Sequence, residues 1–157
     1  MPLGDLTVTA LAGGVGGAKL VQGLDRVVRD LTVVVNTADD AEVYGLAISP
    51  DLDTVMYTLA GVADPVNGWG RADETYTTLE AMGALGEDTW FTLGDRDLAT
   101  HVVRSARRRA GVPLSHVTAG LASALGVHAR LLPMSDDRVA TVVDTASGRF
   151  GLTIVST

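Results

Sequence analysis

Three short stretches of the chain bring together residue types suited to a phosphorylated ligand. The first is Gly13-Gly14-Val15-Gly16-Gly17-Ala18-Lys19. Closely spaced glycines ahead of a helix let backbone N–H groups approach an anion, and the helix N-terminus favours negative charge. Lys19 is the only lysine in the chain. A merely solvated lysine would sit better at a helix C-terminus, so Gly13, Gly14, Gly16, Gly17 and Lys19 form an expected phosphate-binding set. Two familiar loops fail the comparison. Lys19 stands where a dinucleotide fingerprint has its third Gly, and Ala18 and Leu20 replace the Gly and the Ser or Thr of a nucleoside-triphosphate loop. A tight turn requiring positive φ is the competing explanation.

The second stretch is Asn36-Thr37-Ala38-Asp39-Asp40 and the third Ser49-Pro50-Asp51-Leu52-Asp53-Thr54. Mg²⁺ typically takes one or two carboxylates together with substrate phosphates, and Asp51 and Asp53 offer such a pair. An Asx turn accounts for one Asp of the second stretch, and helix capping accounts for one Asp of the third. Further on, Asp95-Arg96-Asp97 has the look of a solvated salt-bridge cluster, with His101 one turn along as a structural histidine. Pro133-Met134-Ser135-Asp136-Asp137 closes a strand with paired carboxylates. Arg107-Arg108-Arg109 suits a helix C-terminus on the surface.

The elements that must position these residues follow from apolar periodicity. Leu6 to Leu11 reads as a buried strand. Leu20, Val21, Leu24, Val27 and Val28 recur at helical spacing, and Leu31 to Val35 is a second apolar strand. Strand, glycine loop, helix and strand make a βαβ unit. In an open parallel sheet ligands bind beyond the carboxyl ends of the strands, where the glycine loop and the segment from Asn36 both open. Ala41 to Ile48 fits either a short strand or a loop. Helices are expected over Thr54 to Leu59, over Asp73 to Leu85 (burying Tyr76, Leu79, Met82 and Leu85), over Leu98 to Arg109, and over Val117 to Leu125 with Ser115 as cap. Strands are expected at Ala129 to Leu132, Val139 to Val143 and Phe150 to Val155, the last two joined by a turn at Ser147-Gly148. The fold class is α/β and Rossmann-like, a mostly parallel sheet with helices on both faces and a C-terminal β-hairpin.

With 157 residues, 46% of them hydrophobic, the chain suits one domain (residues 1–157) with a real core. Its net charge of -7 argues against nucleic acid as a partner. Without Cys it has neither disulfide nor thiolate chemistry. No secretory signal or transmembrane run is evident, so a cytoplasmic location and no membrane partner are expected.

Taken in order, these motifs resemble the 2-phospho-L-lactate transferases of deazaflavin coenzyme (F-420) biosynthesis. The resemblance rests on the three stretches above, on Gly68-Trp69-Gly70, on Leu93 to His101 and on Leu132 to Asp137. It implies transfer of a phospholactyl or phosphoenolpyruvyl group from a guanosine diphosphate conjugate to the deazaflavin alcohol Fo, with release of GMP. It further implies Mg²⁺ as cofactor, a homo-oligomer, and a chain matching the N-terminal half of a longer family fold. Family positions that contact Fo fall on Asp53 and Arg96. Asp40 and Asp53 become the expected catalytic carboxylates and Asp40 and Asp51 the metal ligands, with Asn36 joining the glycine loop at phosphate. A nucleotide-sugar-binding regulator of the same superfamily, without transferase activity, is the alternative.

Overall fold

The computed structural model describes residues 3–151. Strand β1 (Thr7–Ala12), helix α1 (Gly14–Asp25) and strand β2 (Asp30–Val35) form the βαβ unit, with the strands parallel and Ala10 opposite Val33. The sequence then makes a two-stranded antiparallel hairpin, β3 (Ala41–Val43) and β4 (Leu46–Ile48). Its two-residue turn places Tyr44 at φ 53° and Gly45 at φ 70°, the left-handed pair that matches strand twist. Helices α2 (Pro50–Leu59), α3 (Thr77–Ala84), α4 (Asp95–Arg109) and α5 (Leu114–Ala124) follow, then β5 (Arg130–Pro133). β5 pairs parallel with β2, giving the order β1-β2-β5. A separate antiparallel hairpin, β6 (Val142–Thr145) and β7 (Gly148–Gly151), closes the described chain. Of the strand expected over Phe150 to Val155, the residues after Gly151 lie outside the described ones.

One buried cluster holds these layers together. Ala10, Ala12, Val33, Val35 and Leu131 face Ala18 and Val21 of α1, Leu52, Val55 and Met56 of α2, and Leu114 and Ala122 of α5. On the alternate face of the sheet, Leu11, Val34 and Leu132 stand in register, and Leu11 is 78% exposed. Gly17 sets the distance between α1 and β1: a Cβ there would lie 3.1 Å from the Cα and Cβ of Ala12.

The helix boundaries differ from expectation for one recurring reason, which is capping by carboxylates from elsewhere in the chain. The Asp95 carboxylate accepts the N–H groups of Thr77 and Thr78 at 3.0 Å each and so starts α3 at Thr77 instead of Asp73. α3 then lies on the surface: none of its residues is buried, Leu79 and Met82 are only partly covered, and the flanking Tyr76 and Leu85 are exposed. Glu74 accepts the N–H groups of Arg96 and Asp97 at 2.8 Å each, extending α4 back to Asp95. Ser115 does not cap α5 but belongs to its first turn, where its N–H and hydroxyl both donate to Asp136. Gly94 leaves the room that Glu74 occupies, because a Cβ there would meet the Glu74 carboxylate carbon at 2.3 Å. Gly94→Ala should therefore expel Glu74 from the α4 terminus and cost about 1–2 kcal/mol, the loss typical of a cap. Urea unfolding of the variant, beside Glu74→Ala, measures it; the two losses should coincide and not add.

Candidate active site

Helix α2 is the centre of the site, and Asp51 through Tyr57 are all buried along it. Pro50 supplies a pre-set φ at its first turn. Asp51 and Asp53 are both in that turn, yet neither caps the helix with its side chain. Asp51 instead reaches the glycine loop. Its Oδ1 accepts the Gly14 N–H at 2.8 Å and its Oδ2 accepts Asn36 Nδ2 at 2.8 Å. The glycines thus divide their work. A Cβ on Gly13 would press on Asp51 Oδ2 at 3.0 Å, and Gly14 turns at φ +60° to present its N–H. Gly17 packs on Ala12, while Gly16 faces open space. The remaining N–H groups of this first turn have no partner within the helix. Lys19, farther along α1, is exposed.

Asp53 points into a buried polar network shared with α4. Both of its carboxylate oxygens accept from Arg104, Oδ2 from Nη1 at 3.0 Å and Oδ1 from Nη2. Arg104 is 1% exposed. Burial works against its charge, but the Asp53 charge and hydrogen bonds outweigh that and keep it firmly protonated. Arg104 Nη1 also lies 3.0 Å from His101 Nδ1. A guanidinium can only donate, so Nδ1 accepts and the ring proton sits on Nε2. Nε2 faces Asp97 Oδ1 at 3.2 Å, and the Tyr57 hydroxyl donates to the same oxygen at 2.7 Å. Burial would raise the Asp97 carboxyl, but hydrogen bonds from His101 and the Tyr57 hydroxyl, with the nearby Arg104 charge, hold it below the usual carboxylate range. Asp53, Asp97 and His101 lie close enough together to suggest a metal ligand set. Each ring nitrogen of His101 is engaged, however, and the Arg104 charge stands beside them, so the trio serves as a hydrogen-bonded network.

This arrangement corrects one reading of the sequence. Asp97 is not part of a solvated cluster: with Thr100, His101, Arg104 and Ser105 it forms the inward stripe of α4, and every buried residue of that helix is polar or charged, His101 being the structural histidine expected. Asp53 sits in the interior, so its replacement disturbs the fold as well as any ligand.

A cavity of about 510 Å³ opens over the network. Its floor carries Asp51, Asp53, Asp97 and His101, the glycine loop contributes Gly14 and Val15, and Trp69, Trp90 and Phe91 form aromatic walls. The walls are anchored. Tyr44 of the β3–β4 turn donates its hydroxyl to the Phe91 carbonyl at 3.1 Å and accepts the Phe91 N–H at 3.2 Å. Trp90 and Phe91 meet edge to face at 5.5 Å. Gly68, at φ +74°, brings the Trp69 loop onto Val15, where a Cβ would come within 2.9 Å of Val15 Cγ1. Nothing in the sequence pattern marked Trp90, Phe91 or Tyr57 for this role; the Asp97–His101 spacing of four, one helical turn, was the available signal for the floor.

Arg96 is exposed on the first turn of α4 and lies outside the residues lining the cavity. Asp40 is apart too, lining a smaller cavity of about 280 Å³ with Arg104 and Arg108. Its Oδ2 accepts the Ser49 hydroxyl at 2.8 Å, and its Oδ1 is buried with no partner among the described residues. Burial pushes the Asp40 carboxyl up to about 7. The orphaned buried oxygen of Asp40 and the spare accepting capacity of the Asp51 oxygens are donors of the kind a hard cation such as Mg²⁺ takes, although the two residues line different cavities.

A family profile described as 2-phospho-L-lactate transferase CofD matches residues 8–154. The chain belongs to this family. Curated relatives of this CofD-family chain are named phosphoenolpyruvate transferase. That of Streptomyces avermitilis is 50% identical over 141 residues, covering 88% of this chain and 44% of the relative. Those of Thermobifida fusca and Mycobacterium sp. (strain KMS) are 47% and 48% identical, covering 90% and 88% of this chain against 47% and 46% of their own. The chain thus spans less than half the length of the curated relatives it matches. A solved structure from Bacillus halodurans, a member of the upf0052 family, superposes with a TM-score of 0.54 at 13% identity, over 94% of this chain and 46% of that one. That likeness is one of fold, and it agrees with an α/β domain whose parallel sheet is flanked by helices. Among the described residues no helix is long and apolar enough to cross a membrane.

Proposed function

We propose that this chain carries the acceptor-binding half of a transferase that moves a phosphoenolpyruvyl or phospholactyl group from a guanosine diphosphate conjugate to Fo, releasing GMP. The observation that carries the reading is the cavity of about 510 Å³, with aromatic walls over a carboxylate floor and the glycine loop at one end. The flat deazaflavin ring would lie between Trp69, Trp90 and Phe91, its polar chain toward Asp53. Arg96, next to Asp97 on α4, is assigned to Fo by the family resemblance. The relatives' names favour the enolpyruvyl donor. In such a reaction the protein's share is positioning and charge neutralisation more than covalent chemistry. The N–H groups at the start of α1, with Lys19 and Asn36, would hold phosphate oxygens. Asp40 and Asp51 would hold Mg²⁺, which when bound offsets the negative charge of the diphosphate.

The test is a fluorescence titration with Fo. Trp90→Ala should weaken binding about tenfold, the scale of one lost aromatic stacking contact, and Arg96→Ala should weaken it as well while leaving the circular dichroism unchanged. Absence of Fo binding by the wild-type chain, or unaltered affinity in both variants, would overturn the reading.

A further inference from the structure

Three carboxylates line the cavity, and their oxygens are not equally available. Asp51 has one oxygen on the Gly14 N–H and the other on Asn36. Asp53 has both oxygens on Arg104. A carboxylate with both oxygens engaged by a buried guanidinium is a poor further acceptor. Asp97 differs. Its Oδ1 collects both the Tyr57 hydroxyl and His101 Nε2, whereas its Oδ2 takes no hydrogen bond from any described residue. Its side chain is 19% exposed, against 7% for Asp53.

We propose that Asp97 Oδ2 receives the terminal hydroxyl of the acceptor alcohol, in place of Asp53, the carboxylate on which the family resemblance puts the Fo contact. The inference rests on the transferase reading above. Asp53 and Arg104 then act one layer below, fixing His101, which with Tyr57 fixes Asp97. Tyr57 is itself held in place, with the Arg71 guanidinium 5.5 Å over its ring. The design fits the chemistry. An alcohol that attacks phosphorus must be held by an acceptor aimed at its proton, and that acceptor must not swing away. During transfer the alcohol oxygen forms its bond to phosphorus, the phosphorus–oxygen bond to the nucleoside monophosphate breaks, and the hydroxyl proton passes to Asp97 Oδ2.

The experiment pairs the ligand's hydroxyl with the residue. Dissociation constants are measured for Fo and for an analogue lacking only the terminal hydroxyl, with the wild-type chain, Asp97→Ala and the isosteric Asp97→Asn. A hydrogen bond to a charged acceptor should give the wild type about a tenfold preference for Fo. Asp97→Ala should bind the two equally, and Asp97→Asn should retain no more than about a twofold preference. Should Asp97→Ala fail to fold, Asp97→Asn decides alone. A preference that survives both substitutions, or is absent from a wild type that binds Fo, overturns the assignment and leaves the transferase reading standing. A wild type that binds neither compound overturns the transferase reading itself. Where GMP release is measured, Asp97→Asn should lower it at least a hundredfold; wild-type turnover in that variant contradicts the proton transfer.

Discussion

Arg104→Ala should destabilise the protein by about 3–5 kcal/mol, the range found when one partner of a buried ion pair is removed. The substitution takes away a side chain that is 1% exposed and leaves the Asp53 carboxylate, also buried, without its two donors. His101 loses its Nδ1 donor at the same stroke. Stability of this size is a fifth or more of what an ordinary domain possesses, so the variant should be partly unfolded near 37 °C. Urea denaturation followed by circular dichroism gives the number, with Arg96→Ala as an exposed control expected within about 0.5 kcal/mol of wild type. The double replacement Arg104→Met with Asp53→Asn should recover part of the loss, because it removes the uncompensated charge. Equal stability of Arg104→Ala and wild type would mean that the pair is not formed.

Asp40 gives a second large effect, of opposite sign. Its carboxyl is raised to about 7 by burial, against an unfolded value near 4. The folded state therefore binds the proton more tightly. The contribution to stability is fully present below about pH 4 and is lost as the pH rises through about 7. In metal-free protein, stability should climb as the pH is lowered from 8 toward 5, by up to about 1.4 kcal/mol per pH unit from this group. Asp40→Asn should flatten that slope and be the more stable protein at pH 8. If Asp40 holds Mg²⁺, adding the ion to wild type at pH 8 should recover stability that it cannot add to Asp40→Asn. A pH profile of the urea midpoint that is the same with and without the Asn substitution would contradict this.

The βαβ unit was legible because both strands are short apolar, β-branched runs and its glycines mark where strand gives way to helix, although α1 already begins at Gly14 and takes the expected loop into its first turn. The short hairpin at Tyr44-Gly45 was ambiguous in the sequence because a Tyr carries the left-handed φ usually supplied by Asn or Asp. The floor of the site was misread for a deeper reason. Apolar periodicity identifies the buried face of a helix only when that face is apolar, and α4 buries Thr100, His101, Arg104 and Ser105 while Val102 is 48% exposed. Residues such as Asp97 therefore looked solvated until α2 was laid against them. Tyr76 and Leu85 erred the other way, having apolar spacing on a helix too peripheral to bury it.

The borrowed caps also bear on how the chain acquires its order. Asp51, Glu74, Asp95 and Asp136 bind helix termini between 17 and 37 residues away, at α1, α4, α3 and α5. In an unfolded chain those helices lack their caps, and α1 begins with three glycines among its first four residues. Such segments nucleate poorly by themselves. Each cap forms only after an intervening loop has closed, so its gain arrives together with a non-local contact. Amide exchange at the first turns of α1, α3, α4 and α5 should then follow opening of the segment that donates the carboxylate. The termini of these helices would be lost together with their distant partners and not by fraying one at a time.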